Sequence, residues 1–210
     1  MGSAISSIVD KQQADMKAQA QDQLNALLTM ADLKYQNFIA TVQNIDDHTL
    51  IPIDKIIIKD HTVSAGVTSD SSNLKNAISG AVKDFAKGDV LDGLTAVIGF
   101  GLDAVFGNVA ANQSEHTTYA ITCGELGAIM RTDVSIFCYT FTSEAMTKVT
   151  NNVVAVAYTV STVHSSELDQ DTLRDIVQVC YGGLVTKEKL QAIYKQILDA
   201  YNDDRGTVAP

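Results

Sequence analysis

The sequence has few prolines, few basic residues and no patterned cysteines, and each shortage excludes a class of protein. Only 2 of the 210 residues are proline, so neither a Pro-rich linker nor a disordered tail is expected. Lys and Arg number 15 against 25 Asp and Glu, which gives a formal net charge of −10. Because an acidic surface repels phosphate backbones, we do not expect nucleic acid as a partner.

The cysteines and the apolar runs bear on the cellular compartment. Cys123, Cys138 and Cys180 show neither metal-ligand spacing nor a CxxC pair, which predicts three buried thiols in a reducing compartment. No uninterrupted apolar run of about 18 residues is present, so no membrane-spanning segment is expected. Asp10 and Asp15 lie where the apolar core of a signal peptide would fall. We expect a cytoplasmic protein, free or peripheral to a membrane.

The N-terminal region is the strongest positive feature of the sequence. Residues 4–45 contain neither glycine nor proline, and their apolar side chains recur every three or four positions, as on one face of a helix. A helix of about 40 residues is about 60 Å long, whereas a globule of this size is about 35–40 Å wide. We therefore expect an apolar stripe that projects and self-associates, with the following contacts: Met16, Leu24, Leu27, Tyr35, Phe38 and Val42. The alternative is that the stripe packs across the chain's own sheet.

The rest of the chain mixes strand and helix patterns. Strand-forming residues occupy 50–59, 117–123, 128–130, 134–142 and 153–163, whereas helical stripes occupy 74–85, 90–106, 166–180 and 187–201. Residues 62–67 either extend the first strand or return as a hairpin. Because short turns join successive strands, we predict an α+β fold with an antiparallel sheet of about four to six strands covered by helices. Residues 1–46 form the long helix, 47–202 the α+β domain, and 203–210 a frayed tail.

The helix predicted over 90–106 has two interpretations. It contains Gly93, Gly99 and Gly101, and each glycine costs about 1 kcal/mol of helix propensity relative to alanine. A closely packed core helix offsets that cost and is the first interpretation. The second is a membrane-active segment that contacts lipid through Val97, Ile98, Phe100 and Leu102.

No catalytic constellation is visible, and we assign no catalytic residue, metal ligand or cofactor. His48 follows Asp46-Asp47, which is more typical of a solvated turn than of a metal site. None of the four histidines has HxxxH or HExxH spacing. A hidden pocket would be indicated by convergence of two or more of these residues: His48, His61, His116, His164, Glu115, Glu125, Arg131 and Asp133. Arg131-Thr132-Asp133 is the first place to look, although an ion pair in a turn is the simpler interpretation.

The first residues match a lipidation pattern. Met1-Gly2-Ser3-Ala4-Ile5-Ser6 fits N-myristoylation of Gly2, but Met-Gly-Ser is also a common remnant of cloning. Taken together, the sequence favours a non-enzymatic interaction protein that forms homo-oligomers. A membrane- or lipid-binding protein, toxin-like and pore-forming in its strongest version, is the second hypothesis. A small-ligand-binding protein or an enzyme with a hidden site is the third.

Overall fold

The computed structural model describes residues 14–44, 51–66, 80, 86, 88–107, 113–124, 127–142, 147 and 150–206. In chain order the elements within these ranges are α1 (Ala14–Gln43), β1 (Ile53–Ala65), α2 (Gly88–Gly107), β2 (Gln113–Cys123), β3 (Ile129–Thr140), β4 (Asn152–Val163), a short 3-10 turn (Ser165–Glu167), α3 (Gln170–Tyr181) and α4 (Lys187–Gly206). The four strands form one antiparallel sheet in the order β1-β4-β3-β2. Helices flank the sheet, so the predicted α+β fold is confirmed.

Several element boundaries differ from the sequence prediction. β1 continues to Ala65 as one strand, so residues 62–65 extend it and do not return as a hairpin. β3 runs through residues 131–133, where the sequence predicted a turn between two strands. The helix expected over residues 74–85 lies largely outside the described residues. The last helix reaches Gly206, inside the segment expected to fray.

One face of the sheet packs against α2, α3 and α4 and forms the main core. α2 crosses this face closely because Gly93 has no side chain. A Cβ at Gly93 would lie 2.7 Å from Ile193 Cδ1 on α4 and 2.9 Å from Tyr181 Cε1 on α3. The close packing that the glycines predicted is therefore present. By length and composition α2 is a candidate membrane span, but half of its most apolar stretch is buried, as in the core helix of a soluble protein.

Among the described elements, α1 is the one that packs on the opposite face of the sheet. Leu24 and Leu27 pack against Phe141 and Val153 at one end of the strands. Phe38, Ile39 and Val42 pack against Ala157 farther along β4. At about 1.5 Å per residue in a helix and about 3.3 Å in a strand, the 30 residues of α1 match the length of the 12-residue strands beneath them. From Leu24 to Val42 the predicted stripe is thus packed on the chain's own sheet.

β3 is buried along almost its whole length, including two charged residues. Arg131 and Asp133 are 7% and 3% exposed, and they lie two positions apart, on the same face of the strand. Arg131 Nε donates to Asp133 Oδ1 and Oδ2 at 2.9 and 3.0 Å, and Nη2 donates to Oδ1 at 2.7 Å. Because the two charges neutralise each other at short range, the strand can continue through them.

The two edge strands are protected in different ways. On β2, the Tyr181 hydroxyl of α3 donates a 2.5 Å hydrogen bond to the Ile121 carbonyl. β1 carries charged residues along its length and two register irregularities within its first half. Charges and bulges discourage pairing with another strand along β1, and the hydrogen bond from Tyr181 occupies one carbonyl of β2.

We expect Asp133→Asn to lower the free energy of unfolding by about 3–5 kcal/mol, because it leaves the Arg131 guanidinium buried without its counter-charge. Replacing both residues with apolar ones, Arg131→Met with Asp133→Leu, should recover part of that loss. Urea denaturation followed by circular dichroism measures both effects. A loss below about 1 kcal/mol for Asp133→Asn would mean that the pair contributes little to the fold.

Close packing at Gly93 predicts that Gly93→Ala lowers the free energy of unfolding by about 1–3 kcal/mol through overpacking. Gly107→Ala is the matched control on the same helix, because a Cβ at Gly107 meets no atom within 4 Å. The control should be neutral or stabilising by up to about 1 kcal/mol. Equal losses in thermal denaturation of the two variants would contradict the close approach of α2 to α3 and α4.

Candidate functional site

Within the described residues, α1 does not cover all four strands, and side chains of the edge strand beside it are exposed. α1 packs on β1, β4 and β3. On the same face, the edge strand β2 presents Gln113, Glu115 and Thr117, which are all exposed. We call the α1-side surface of β2 and β3 next to α1 the β2–β3 strip.

At one end of the strip lies an apolar groove of about 400 Å³ between α1 and β3. Its lining combines apolar, aromatic and uncharged polar side chains: Gln23, Ala26, Leu27, Met30, Tyr139, Phe141 and Thr142. Tyr139 and Phe141 meet edge to face, with ring centroids 5.4 Å apart. The volume and the mostly apolar lining are those of small-molecule sites in general.

An ion pair crosses the middle of the strip. Lys34 of α1 is paired with Glu115 of β2, and its Nζ lies 5.4 Å from the centre of the Phe137 ring. Both charged side chains are partly exposed, so the pair contributes little to stability. Its position separates the apolar groove from the polar end of the strip.

At the polar end, a smaller cavity of about 100 Å³ touches the Arg131–Asp133 pair. The Arg131 guanidinium carbon lies 4.5 Å from the centre of the Tyr119 ring, in a cation–π contact. On β4, Thr159 and Ser161 are the cross-strand neighbours of Asp133 and Arg131. Their hydroxyls are buried and have no hydrogen-bond partner in the described part of the chain, an arrangement that costs about 1–3 kcal/mol per group.

The structure therefore brings together two of the eight residues that were expected to mark a hidden pocket, Arg131 and Asp133. They are not in a turn, as predicted, but inside a strand. The cavity beside them is smaller than the roughly 300 Å³ at which ordinary ligand sites begin. Because the guanidinium and the carboxylate are already bonded to each other, the pair serves better as a structural anchor than as a reactive group.

The thiol nearest this pair is unsuited to nucleophilic chemistry. Burial raises the pKa of Cys180 to about 11, while a hydrogen bond with the Ile121 backbone and the charge of Arg131 oppose that rise. Since the thiolate is the reactive form, Cys180 is almost entirely unreactive near neutral pH. Cys123 and Cys138 are buried as well, as the sequence predicted.

The histidines do not converge within the described residues. His61 lies on the edge strand β1, stacks on Tyr35 with ring centroids 4.3 Å apart, and is 3.3 Å from Asp32. His116 lies on the other edge strand and on the opposite face, against Phe100. His164 pairs with Asp54 at the end of β4. His48 and Glu125 lie outside the described residues, and Glu115 is the partner of Lys34.

The residues predicted to contact a membrane divide into two groups. Val97, Ile98 and Leu102 are buried in the main core, and their contact with lipid stays a prediction. Phe100 alone is exposed, at 51%, beside a shallow open groove where Lys189 pairs with Asp92. A lipid contact through the other three residues requires α2 to leave the core.

The residues predicted for self-association are mostly occupied within the chain. Leu24, Leu27, Phe38 and Val42 are buried against the sheet, and Tyr35 is half-buried against His61. The Met16 side chain and Gly2 lie outside what the structure describes. Self-association itself is not tested by this packing, and neither is acylation of Gly2; both stay predictions.

Sequence reasoning missed the groove, although part of its signal was present. Phe137, Tyr139 and Phe141 alternate along the strand predicted over 134–142, which is typical of one face, and Met30 lies three residues after Leu27 on the helix. The sequence does not show where α1 lies across the sheet. In the structure the helix lies so that Tyr139 and Phe141 line the groove beside it. That position depends on long-range packing.

No group of three or more His, Cys, Asp or Glu side chains within the described ranges is arranged to hold a metal ion. The functional interpretation therefore depends on the groove and the strip. No protein-family model, no curated protein and no solved structure matches this chain.

Proposed function

We propose that this protein is a non-enzymatic binding protein that takes an uncharged, mainly apolar ligand in the groove between α1 and β3. The observation that carries the proposal is the groove itself, about 400 Å³ in volume and lined by Leu27, Met30, Tyr139 and Phe141. Sites of this size with a few polar groups at the rim are typical of small-ligand pockets. This develops the lipid-binding hypothesis of the sequence analysis.

The lining favours a neutral ligand over a charged one. Its polar groups are the Gln23 amide, the Thr142 hydroxyl and the Tyr139 hydroxyl, and none of its side chains carries a charge. Aromatic rings and methionine adapt well to flexible alkyl chains. An ionised head group would lose hydration without gaining a counter-charge, which is costly. A ligand with an alkyl chain and a hydroxyl or amide head therefore fits best.

The same geometry supports a binding role over a catalytic one. The charged residues of the strip, Lys34, Glu115, Arg131 and Asp133, are outside the apolar groove and already paired. General acid–base chemistry needs a titratable group within hydrogen-bond reach of the bound molecule. In the groove the available groups are an amide and two hydroxyls, which can orient a ligand.

We expect decanol, an uncharged alkyl alcohol, to bind in the groove and to shift the NMR signal of the Met30 methyl group. Met130, on the buried strand β3 and outside the groove lining, is the internal control and should not shift. Decanoate, with the same chain and a carboxylate head, should bind at least roughly tenfold more weakly because its charge is not compensated.

A pair of substitutions on α1 separates groove binding from non-specific adsorption. Ala26→Trp places an indole beside the groove and should abolish the Met30 shift. Ala18→Trp, at an exposed position of the same helix outside the groove lining, should leave it unchanged. If neither ligand shifts Met30, or if both variants bind alike, the groove is not a ligand site.

A further inference from the structure

We propose that a second copy of this chain closes the groove, with its α1 packed against the exposed flank of α1 in the first copy. The inference rests on the proposed function, because it makes the ligand site complete only in a dimer. In one copy the groove is open to solvent along α1, and two of its lining residues, Ala26 and Met30, belong to the helix surface that a second helix would contact.

The outer flank of α1 carries a second pattern, distinct from the buried stripe. Uncharged residues recur there at alternating intervals of four and three: Ala26, Met30, Leu33, Asn37 and Ala40. This is the heptad spacing of helices that pack side by side, and a single asparagine in such a seam fixes register. Leu33 is 55% exposed, and Ala26 and Ala40 are small enough to allow close helix approach. We call these five residues the outer seam.

The surface is complementary to itself, as a two-fold dimer requires. Leu33 protrudes from α1 one helical turn beyond Met30, and Met30 lines the adjacent groove. In an antiparallel arrangement centred between these two residues, the partner's Leu33 meets Met30 next to the groove. Each copy therefore supplies both a protruding apolar side chain and the apolar hollow that receives it.

The distribution of charge favours the outer seam as the surface at which two copies meet. Each copy has a net charge of −10, so most of its faces repel a second copy. The outer seam and the groove lining contain no charged side chain. The charged residues of the neighbouring strip, Lys34 and Glu115, have opposite signs and are paired. Two copies can thus meet along the seam without placing like charges together.

The area of this surface indicates a weak, concentration-dependent contact. α1 has 30 residues, which makes it about 45 Å long and about 10 Å wide, or roughly 450 Å² on its outer side. On the neighbouring strip the β2 side chains Gln113, Glu115 and Thr117 are exposed, whereas the β3 side chains from Arg131 to Phe137 are buried. Because a standard interface buries about 800 Å² per partner, α1 supplies most of a contact of the smaller, transient class.

Closure of the groove by the second copy links ligand binding to association. If the ligand contacts both copies, it binds the dimer more tightly than the monomer, and by reciprocity it strengthens dimerisation by the same factor. Couplings of this kind typically amount to 5–150-fold.

The test is light scattering of the full chain over a concentration series, with and without decanol. We expect the wild-type chain to dimerise and decanol to lower the dimer dissociation constant at least roughly fivefold. Leu33→Lys, which puts a charge in the seam, should be monomeric under both conditions and should bind decanol more weakly by the same factor in the Met30 methyl assay. Leu28→Lys is the matched control, because Leu28 is 48% exposed on the same helix but outside the seam.

The outcomes separate the two proposals. A wild-type chain that stays monomeric while the Met30 signal shifts and saturates with decanol overturns the dimer and leaves the ligand site standing. A dimer that is disrupted by Leu33→Lys but indifferent to decanol overturns the linkage, and the absence of a Met30 shift then also overturns the ligand site. Equal disruption by Leu28→Lys and Leu33→Lys contradicts association through the outer seam.

Discussion

The structure depends on one constraint: a sheet with apolar side chains on both faces must be covered on both. In the part of the chain that the structure describes, α2, α3 and α4 pack on one face, and α1 packs on the other. A helix is about 10 Å wide, whereas four strands spaced about 4.8 Å apart span about 14 Å between the outermost strands. The buried stripe of α1 packs on most of this face of the sheet. Because the helix is narrower than the sheet, it does not cover the β2–β3 strip or the groove at the end of that strip.

The composition of β3 determines what the two ends of that strip contain. Near its start, Arg131 and Asp133 occupy the face toward α1, and their mutual neutralisation allows them to be buried. Near its end, Tyr139 occupies the same face, and Phe141 follows directly after the strand. At the charged end, Arg131 and Asp133 bind each other. At the aromatic end, Tyr139 and Phe141 border the groove. This contrast favours an apolar ligand at one end and a structural role at the other.

Local patterns predicted the elements well, and long-range packing explains the rest. The period of Leu24, Leu27 and Phe38 identified α1, and the glycines of α2 indicated close packing, which Gly93 shows against Ile193. The projecting helix was inferred by comparing a helix of about 40 residues with the diameter of a sphere, whereas a sheet of long strands is elongated and accommodates the 30 residues of α1 that the structure describes. The turn at Arg131 was inferred because charged residues are rarely buried in a strand. The sequence does not show that Arg131 and Asp133 bind each other, and this pairing is what allows the strand to continue. The groove needed the position of α1 on the sheet, which no local pattern contains.

The groove and the outer seam mark the same deficit of burial. Exposed apolar surface on a monomer is typical of a binding site or an interface, and in this protein the groove and the outer seam share Ala26 and Met30. A ligand in the groove and a second copy on the seam, as proposed, would each remove part of this surface from water. Because the two surfaces share Ala26 and Met30, occupation of one would change the contacts that the other can make. The shared residues are the physical reason to expect ligand binding and association to be coupled.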